Sequence, residues 1–320
     1  MMIVNGTGIA YEESAPREPA GTVVLVHAAV GDQRMWDHQF RALSERHRVI
    51  RYDRRGSGRS GDATGEVCHH EDLLAVMDAL EVDRALLVGS SMGGGYAVEA
   101  ALAAPSRVAG LVLVGAGLPG HAWPPEMLAQ ARERVHGAVP ADRLSRYRAG
   151  AAGHVDPADA RAMAEAHTLW QVAGPDRDRG ALPAEVWEAA VEMCALAFLR
   201  SWTAPAVTER FLDPPAAGRL PEIAAPTLVI NGLSDVPGIQ EVSRVLAGGI
   251  RGARLLDLPD TGHLPPLERP AEVTAALEAF AAKVFAAKAP ATETSTAETP
   301  ATEAPTAEAP ATGAPGLRRR

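Results

Sequence analysis

Gly89-Ser90-Ser91-Met92-Gly93 forms a G-x-S-x-G pattern, with Gly94 and Gly95 following. Between a strand and a helix, such a pattern makes a sharp turn that lifts the middle serine, Ser91, clear of the sheet. Glycines flank it because side chains at positions 89 and 93 would collide across so tight a turn. A serine hydroxyl becomes nucleophilic when a base removes its proton, and the base needs an acid to orient it. Of ten histidines, His263 in Thr261-Gly262-His263-Leu264 is the expected base, and Asp235 in Asn231-Gly232-Leu233-Ser234-Asp235 the expected acid. Asp260 competes for the acid's role, but Pro259-Asp260-Thr261-Gly262 suits a turn, and an acid on a separate strand end can approach the far imidazole nitrogen. An oxyanion also needs two amide donors. Met92, directly after the serine, supplies one; the other is expected from His27-Ala28-Ala29-Val30-Gly31, at Ala29 with Ala28 as competitor. His27 itself reads as a packed histidine holding that turn.

These residues need a scaffold that gathers them at one edge. Short apolar, β-branched runs at 22–27 and 48–53 read as buried strands, and further strands are expected at 84–90, 108–116, 226–232 and 253–259. Helical spacing marks 69–82, the stretch from the serine to about Ala104, and 271–287. Alternating strands and helices predict an α/β fold with a doubly wound, mainly parallel sheet, to which the first fifteen residues can add an antiparallel hairpin at the edge. Ser91, Asp235 and His263 then all fall at carboxyl ends of strands, where such sheets bind ligands. Between Leu118 and about Pro221 no buried strand is evident, only Ala-rich helical pieces. Four of the five tryptophans, Trp123, Trp170, Trp187 and Trp202, lie there. The expected organisation is a core at 1–117 and 222–287, a helical insertion at 118–221, and a tail at 288–320. That tail carries a five-residue near-repeat of Ala, Thr, Glu and Pro, which blocks helix and offers no apolar face, so disorder is expected there.

Composition narrows the function classes. The 320 residues carry 31 Lys+Arg against 40 Asp+Glu, a net charge of −9 without a basic stripe, which argues against a nucleic-acid partner. No apolar run is long enough to span a membrane, and MMIVNGTGIAYEES lacks the basic and apolar regions of a signal peptide, so a cytoplasmic protein is expected. Cys68 and Cys194 lie far apart without metal-ligand spacing. His69 and His70 have only Glu71 and Asp72 beside them, and no metal is expected there. Asp53-Arg54-Arg55-Gly56-Ser57-Gly58-Arg59-Ser60 lacks the Gly-Lys-Ser/Thr ending of a phosphate loop and reads as a structural loop near the site mouth.

Taken together, the segments 27–31, 51–60, 89–94, 231–236 and 262–264 resemble the α/β-hydrolase superfamily over about residues 3–286. Gly262-His263-Leu264-Pro265 followed by Glu268-Arg269-Pro270 is similar to the 3-oxoadipate enol-lactonase-like group. The resemblance implies Ser91 as nucleophile, Asp235 as acid, His263 as base, and Met92 with Ala28/Ala29 as oxyanion hole. It also implies a helical cap at 118–221 with a substrate pocket beneath it, which the four tryptophans can line. One departure stands out: Ala28 replaces the glycine usual after the histidine, and it fits only if the backbone avoids positive φ. A dehalogenase or epoxide hydrolase of this superfamily would carry Asp at position 91, and no acid follows the fourth strand at Gly115-Ala116-Gly117. The expected activity is cofactor-free hydrolysis of a small carboxylic ester or lactone. Carbon–carbon bond hydrolysis, thioester hydrolysis or perhydrolysis by the same triad, and small-molecule binding on the same scaffold, remain alternatives. The oligomeric state is not legible.

Overall fold

The computed structural model describes residues 1–150 and 152–286; the tail expected at 288–320 lies outside the described residues. Strands are β1 (Met2–Val4), β2 (Thr7–Ile9), β3 (Tyr11–Ser14), β4 (Thr22–Val26), β5 (Arg48–Tyr52), β6 (Gly65–Val67), β7 (Ala85–Ser90), β8 (Val108–Val114), β9 (Val207–Glu209), β10 (Thr227–Gly232) and β11 (Arg254–Leu258). Helices are α1 (Asp37–Leu43), α2 (His69–Ala79), α3 (Met92–Ala103), α4 (Pro125–Gln130), α5 (Ala141–Arg148), α6 (Pro157–His167), α7 (Ala184–Thr203), α8 (Pro237–Gly249), α9 (Pro265–Glu268) and α10 (Pro270–Ala286). Seven strands form one sheet in the order β11-β10-β8-β7-β4-β5-β3, parallel except for the antiparallel edge strand β3.

Alternation along each central strand explains the helices on both faces, because successive side chains of a strand point to opposite sides. Val23 and Leu25 of β4, with Val112 and Val114 of β8, pack against α10 through Val273, Leu277 and Phe280. Val24 and Val26, with Leu111 and Leu113, face α2, α3 and α8 through Leu73, Ala97 and Leu246. β1 and β2 do not join the sheet edge as the sequence suggested. Asn5 and Gly6, both at positive φ, close them into a separate hairpin whose Val4 and Ile9 bury on the α2 face.

The segment from 118 to 221 carries α4 to α7 and lies over the carboxyl edge. Several contacts tie it to the rest of the fold. β9 pairs in parallel with β6, Arg200 at the end of α7 donates to the Ser57 and Gly58 carbonyls at 3.0 and 2.6 Å, and Arg177 meets Glu268 at 2.8 Å. Among the described residues, no helix is long and apolar enough to cross a membrane.

A close backbone crossing lies at the start of α3. A Cβ placed on Gly93 would sit 2.5 and 2.6 Å from the carbonyl oxygens of Val26 and His27. Gly93→Ala is therefore expected to lose at least about 2–3 kcal/mol, the scale of a strained overpacking, in urea unfolding. Gly248→Ala in α8, where a Cβ meets open space, is expected to gain several tenths to about 1 kcal/mol from helix propensity.

Candidate active site

β7 is buried along its whole length and ends one residue before Ser91, which sits at φ +53°, ψ −126° before α3 begins at Met92. That conformation costs a non-glycine residue on the order of 1–3 kcal/mol and persists because neighbours hold it. The Ser91 N–H donates to the Val114 carbonyl at 3.0 Å, while its own carbonyl accepts from Gly94 and Gly117 at 2.9 and 2.8 Å.

Asp235 follows β10 and His263 follows β11, and both side chains are buried. His263 Nδ1 lies 2.6 Å from Asp235 Oδ2, and His263 Nε2 lies 3.0 Å from Ser91 Oγ. The carboxylate accepts from Nδ1–H, so the Nε2 lone pair faces the serine hydroxyl. Burial pushes the Asp235 carboxyl above its ordinary range, opposed by His263 and by the Val236 N–H that donates to Oδ1 at 2.7 Å. Asp260 is exposed, sits at φ +48° and makes the turn.

The loop opposite Met92 distinguishes its two candidate donors. The Ala28 N–H already donates to Met35 Sδ at 3.3 Å. The Ala28 carbonyl accepts from His27 Nδ1 at 2.7 Å and from the Gly31 N–H at 3.1 Å, with Arg54 Nη2 at 3.4 Å. His27 Nε2 accepts the Arg54 N–H at 2.9 Å, which fixes the imidazole with its proton on Nδ1. In a trans peptide the N–H points opposite to the carbonyl, so these contacts turn the Ala29 N–H away from His27. Ala28 avoids positive φ and buries its methyl group in the core, so it fits where glycine is usual. The 53–60 loop holds the far end of this segment: the Asp53 carboxylate accepts from the Gln33 and Arg59 amides, each at 2.8 Å.

The 118–221 segment lies directly on the loops that carry Asp235 and His263. The His263 N–H donates to the Val172 carbonyl at 3.3 Å, and a Cβ at Gly262 would run into that same carbonyl. Val172 belongs to a π-helical stretch, Thr168–Ala173, that continues α6; a second, Ala131–Val135, continues α4. Both stretches contribute to a cavity of about 370 Å³ walled by Met163, His167, Trp170, Phe198 and Trp202, with His136 and Arg148 also on its lining. Of the four tryptophans, Trp170 and Trp202 line this space. Trp187 packs into the main core under Arg179, and half-buried Trp123 packs edge-on against His121. His167, also on this lining, does not stand out in the sequence. Its only signal is the helical spacing Met163, His167, Trp170, which places three cavity-lining side chains on one face.

Cys68, His70 and Glu71 bring potential metal-ligand atoms within 4.8 Å of one another. Each is otherwise engaged: His70 Nδ1 lies 3.3 Å from Cys68 Sγ and 3.2 Å from Glu99, while Glu71 pairs with Arg210 at 2.8 Å. Burial raises the Cys68 thiol, disfavouring the thiolate a metal would need.

A family model described as the alpha/beta hydrolase fold matches residues 21–270. A Variovorax paradoxus protein with the provisional name carbamate hydrolase RutD is 32% identical over 291 residues, covering 88% of this chain and 98% of that protein. An Azorhizobium caulinodans protein of the same provisional name is 42% identical over 99 residues, which is 30% of this chain and 37% of that one. Among solved structures, the enol-lactonase from Burkholderia xenovorans superposes with a TM-score of 0.60 at 26% identity, covering 87% of this chain and 97% of that one.

Three histidines around the site are held neutral by their surroundings. Burial, then Arg54, keeps His27 well below its ordinary range; burial, Arg54 and His27 hold His69 at about 2; burial, His263 and His136 hold His167 at about 3. A depressed folded-state value means that the unfolded chain binds more protons below about pH 6.5, so stability falls as pH falls through that range. Between pH 7.5 and 5.5 each histidine is expected to remove about 1 kcal/mol, and the three together about 3–4 kcal/mol. Urea unfolding at the two pH values measures this; equal stabilities would contradict the assignment.

Proposed function

The chain belongs to the alpha/beta hydrolase fold family, and from that premise we propose that it is a serine hydrolase of small carboxylic esters or lactones, working through an acyl-enzyme. The observation that carries this reading is the continuous hydrogen-bonded line from Asp235 through His263 to Ser91 on a strained strand-to-helix turn.

In this reading Ser91 Oγ attacks the carbonyl carbon as His263 Nε2 takes its proton. Asp235 stabilises the imidazolium that forms and keeps the ring oriented. The developing oxyanion accepts from the amides of Met92 and Ala29, the latter aimed by the contacts that hold the Ala28 carbonyl. Removing one such donor costs on the order of 3 kcal/mol in the barrier. His263 then passes its proton to the leaving alcohol, and water, activated by the same base, releases the acid.

The likeness to an enol-lactonase supports the lactone part of the proposal. A second reading comes from the full-length relative provisionally named a carbamate hydrolase: a carbamate presents the same carbonyl with nitrogen attached, and the same groups serve its attack.

Turnover of p-nitrophenyl acetate and butyrate tests the proposal. Ser91→Ala is expected to lose at least 10³-fold in kcat, and Asp235→Asn about 10³–10⁴-fold through the wrong imidazole tautomer, with both variants folded by circular dichroism. Turnover by Ser91→Ala near the wild-type rate would overturn it.

A further inference from the structure

Four arginines crowd the stretch from Arg51 to Arg59, and three of them are matched by carboxylates. Arg51 pairs with Glu12 and Asp37, Arg55 with Asp72, and Arg59 with Glu12. Arg54 differs. It is 6% exposed, its Nε is buried without a hydrogen-bond partner, and among the described residues no carboxylate comes within 4.0 Å of its guanidinium. The acid that feels this cation is Glu209 of β9: burial pushes its carboxyl up, opposed by Tyr96 and then by Arg54. A buried charge without a partner costs stability.

The guanidinium sits between the loop after β4 and the helix that begins at Met92. On one side its Nη2 donates to the Ala28 carbonyl at 3.4 Å; on the other its Cζ lies 5.3 Å from the centroid of the Tyr96 ring on α3. The Ala28 carbonyl belongs to the same peptide unit as the Ala29 N–H. It also accepts from His27 Nδ1 at 2.7 Å and from the Gly31 N–H at 3.1 Å. Donors gathered at the oxygen of a peptide, one of them charged, draw electron density from its nitrogen and make the N–H at the other end a stronger donor. The field of the cation is felt nearby. After burial, Arg54 is the next largest influence holding the His27 and His69 imidazoles neutral.

Resting on the serine-hydrolase reading above, we propose that Arg54 is a positioning residue of the oxyanion hole, whose unpaired charge on the carbonyl side of the Ala28–Ala29 peptide polarises the Ala29 N–H toward the developing oxyanion. The negative charge arises only as Ser91 attacks, so the contribution falls on kcat and leaves substrate binding alone.

Turnover of p-nitrophenyl acetate by three variants separates the charge from the contacts, at about pH 8 where the imidazoles are neutral in all of them. Arg54→Gln keeps a donor and Arg54→Met keeps the bulk, but both lose the charge; Arg54→Lys retains it. The backbone N–H that meets His27 is present throughout. The two neutral variants are expected to lose about 10–30-fold in kcat with KM within about twofold, and Arg54→Lys to stay within about threefold of the wild type. Urea unfolding gives a second readout. Because the charge is buried and unpaired, Arg54→Met is expected to unfold at the same urea concentration as the wild type or a higher one, so that activity falls without loss of stability. Wild-type kcat in the neutral variants would overturn the proposal, as would equal losses in Arg54→Lys and Arg54→Gln, or a loss carried by KM. If Arg54→Met does not fold, the comparison of Arg54→Gln with Arg54→Lys decides alone. Turnover that survives Ser91→Ala would instead remove the serine-hydrolase reading beneath the proposal, so the two failures are separable.

Discussion

Val26 ends β4 and His27 follows it, their carbonyl oxygens turned toward the first turn of α3, and only the hydrogen of Gly93 fits there. This contact sets the distance between the nucleophile turn and the loop that follows β4. Ser91 sits beside this crossing in its positive-φ conformation at the sheet edge, and in the proposed mechanism the Met92 and Ala29 amides serve the oxyanion there. The strain is retained because Val114, Gly94 and Gly117 all hydrogen-bond to the Ser91 backbone. The other two members of the line reach Ser91 from β10 and β11, whose register places Gly232 opposite Leu258 just before both loops. A one-residue slip would turn each of their side chains to the opposite face.

Around this crossing burial and the Arg54 cation keep the His27 and His69 imidazoles neutral. Arg55 is matched to Asp72 by two hydrogen bonds of 2.7 Å, and Arg51 pairs with Glu12 and Asp37, so these cations are neutralised locally. His27, by contrast, works as a neutral connector, accepting from the Arg54 amide and donating to the Ala28 carbonyl. Protonating it would remove the acceptor and leave a second N–H facing the Arg54 amide. Neutrality and the orientation of the Ala29 amide are thus two aspects of one hydrogen-bond chain.

Much of this was legible in the chain. The strands β4, β5, β7, β8 and β10 stand out as apolar runs because both faces of a parallel sheet are covered, whereas β11, at the sheet edge, is mostly exposed and is marked only by its leucines. Ser91, Asp235 and His263 stood out because each follows one of these strands. Less legible were features that depend on tertiary contact. β6 and β9 are three residues each, and of their side chains just Val67 is fully buried, so little in their pattern announces the pairing that joins the 118–221 segment to the rest of the fold. The two π-helical stretches carry no composition signal distinguishing them from the α-helices they continue. The division of the tryptophans, with Trp170 and Trp202 on the cavity and Trp187 in the core, follows from how α6 and α7 pack. The sequence favours Ala29 over its competitor Ala28 without a contact to support the choice, and the engagement of the Ala28 amide by Met35 is visible only in the fold.

The central claim is that Ser91 is activated by His263 on this turn. Labelling the protein with a fluorophosphonate and mapping the adduct by peptide mass spectrometry addresses it directly. The account predicts one adduct, on the peptide containing Ser91, with a labelling rate that falls at least about 100-fold in folded His263→Ala. An adduct on another residue, or rapid labelling of Ser91 that ignores the loss of His263, would contradict it.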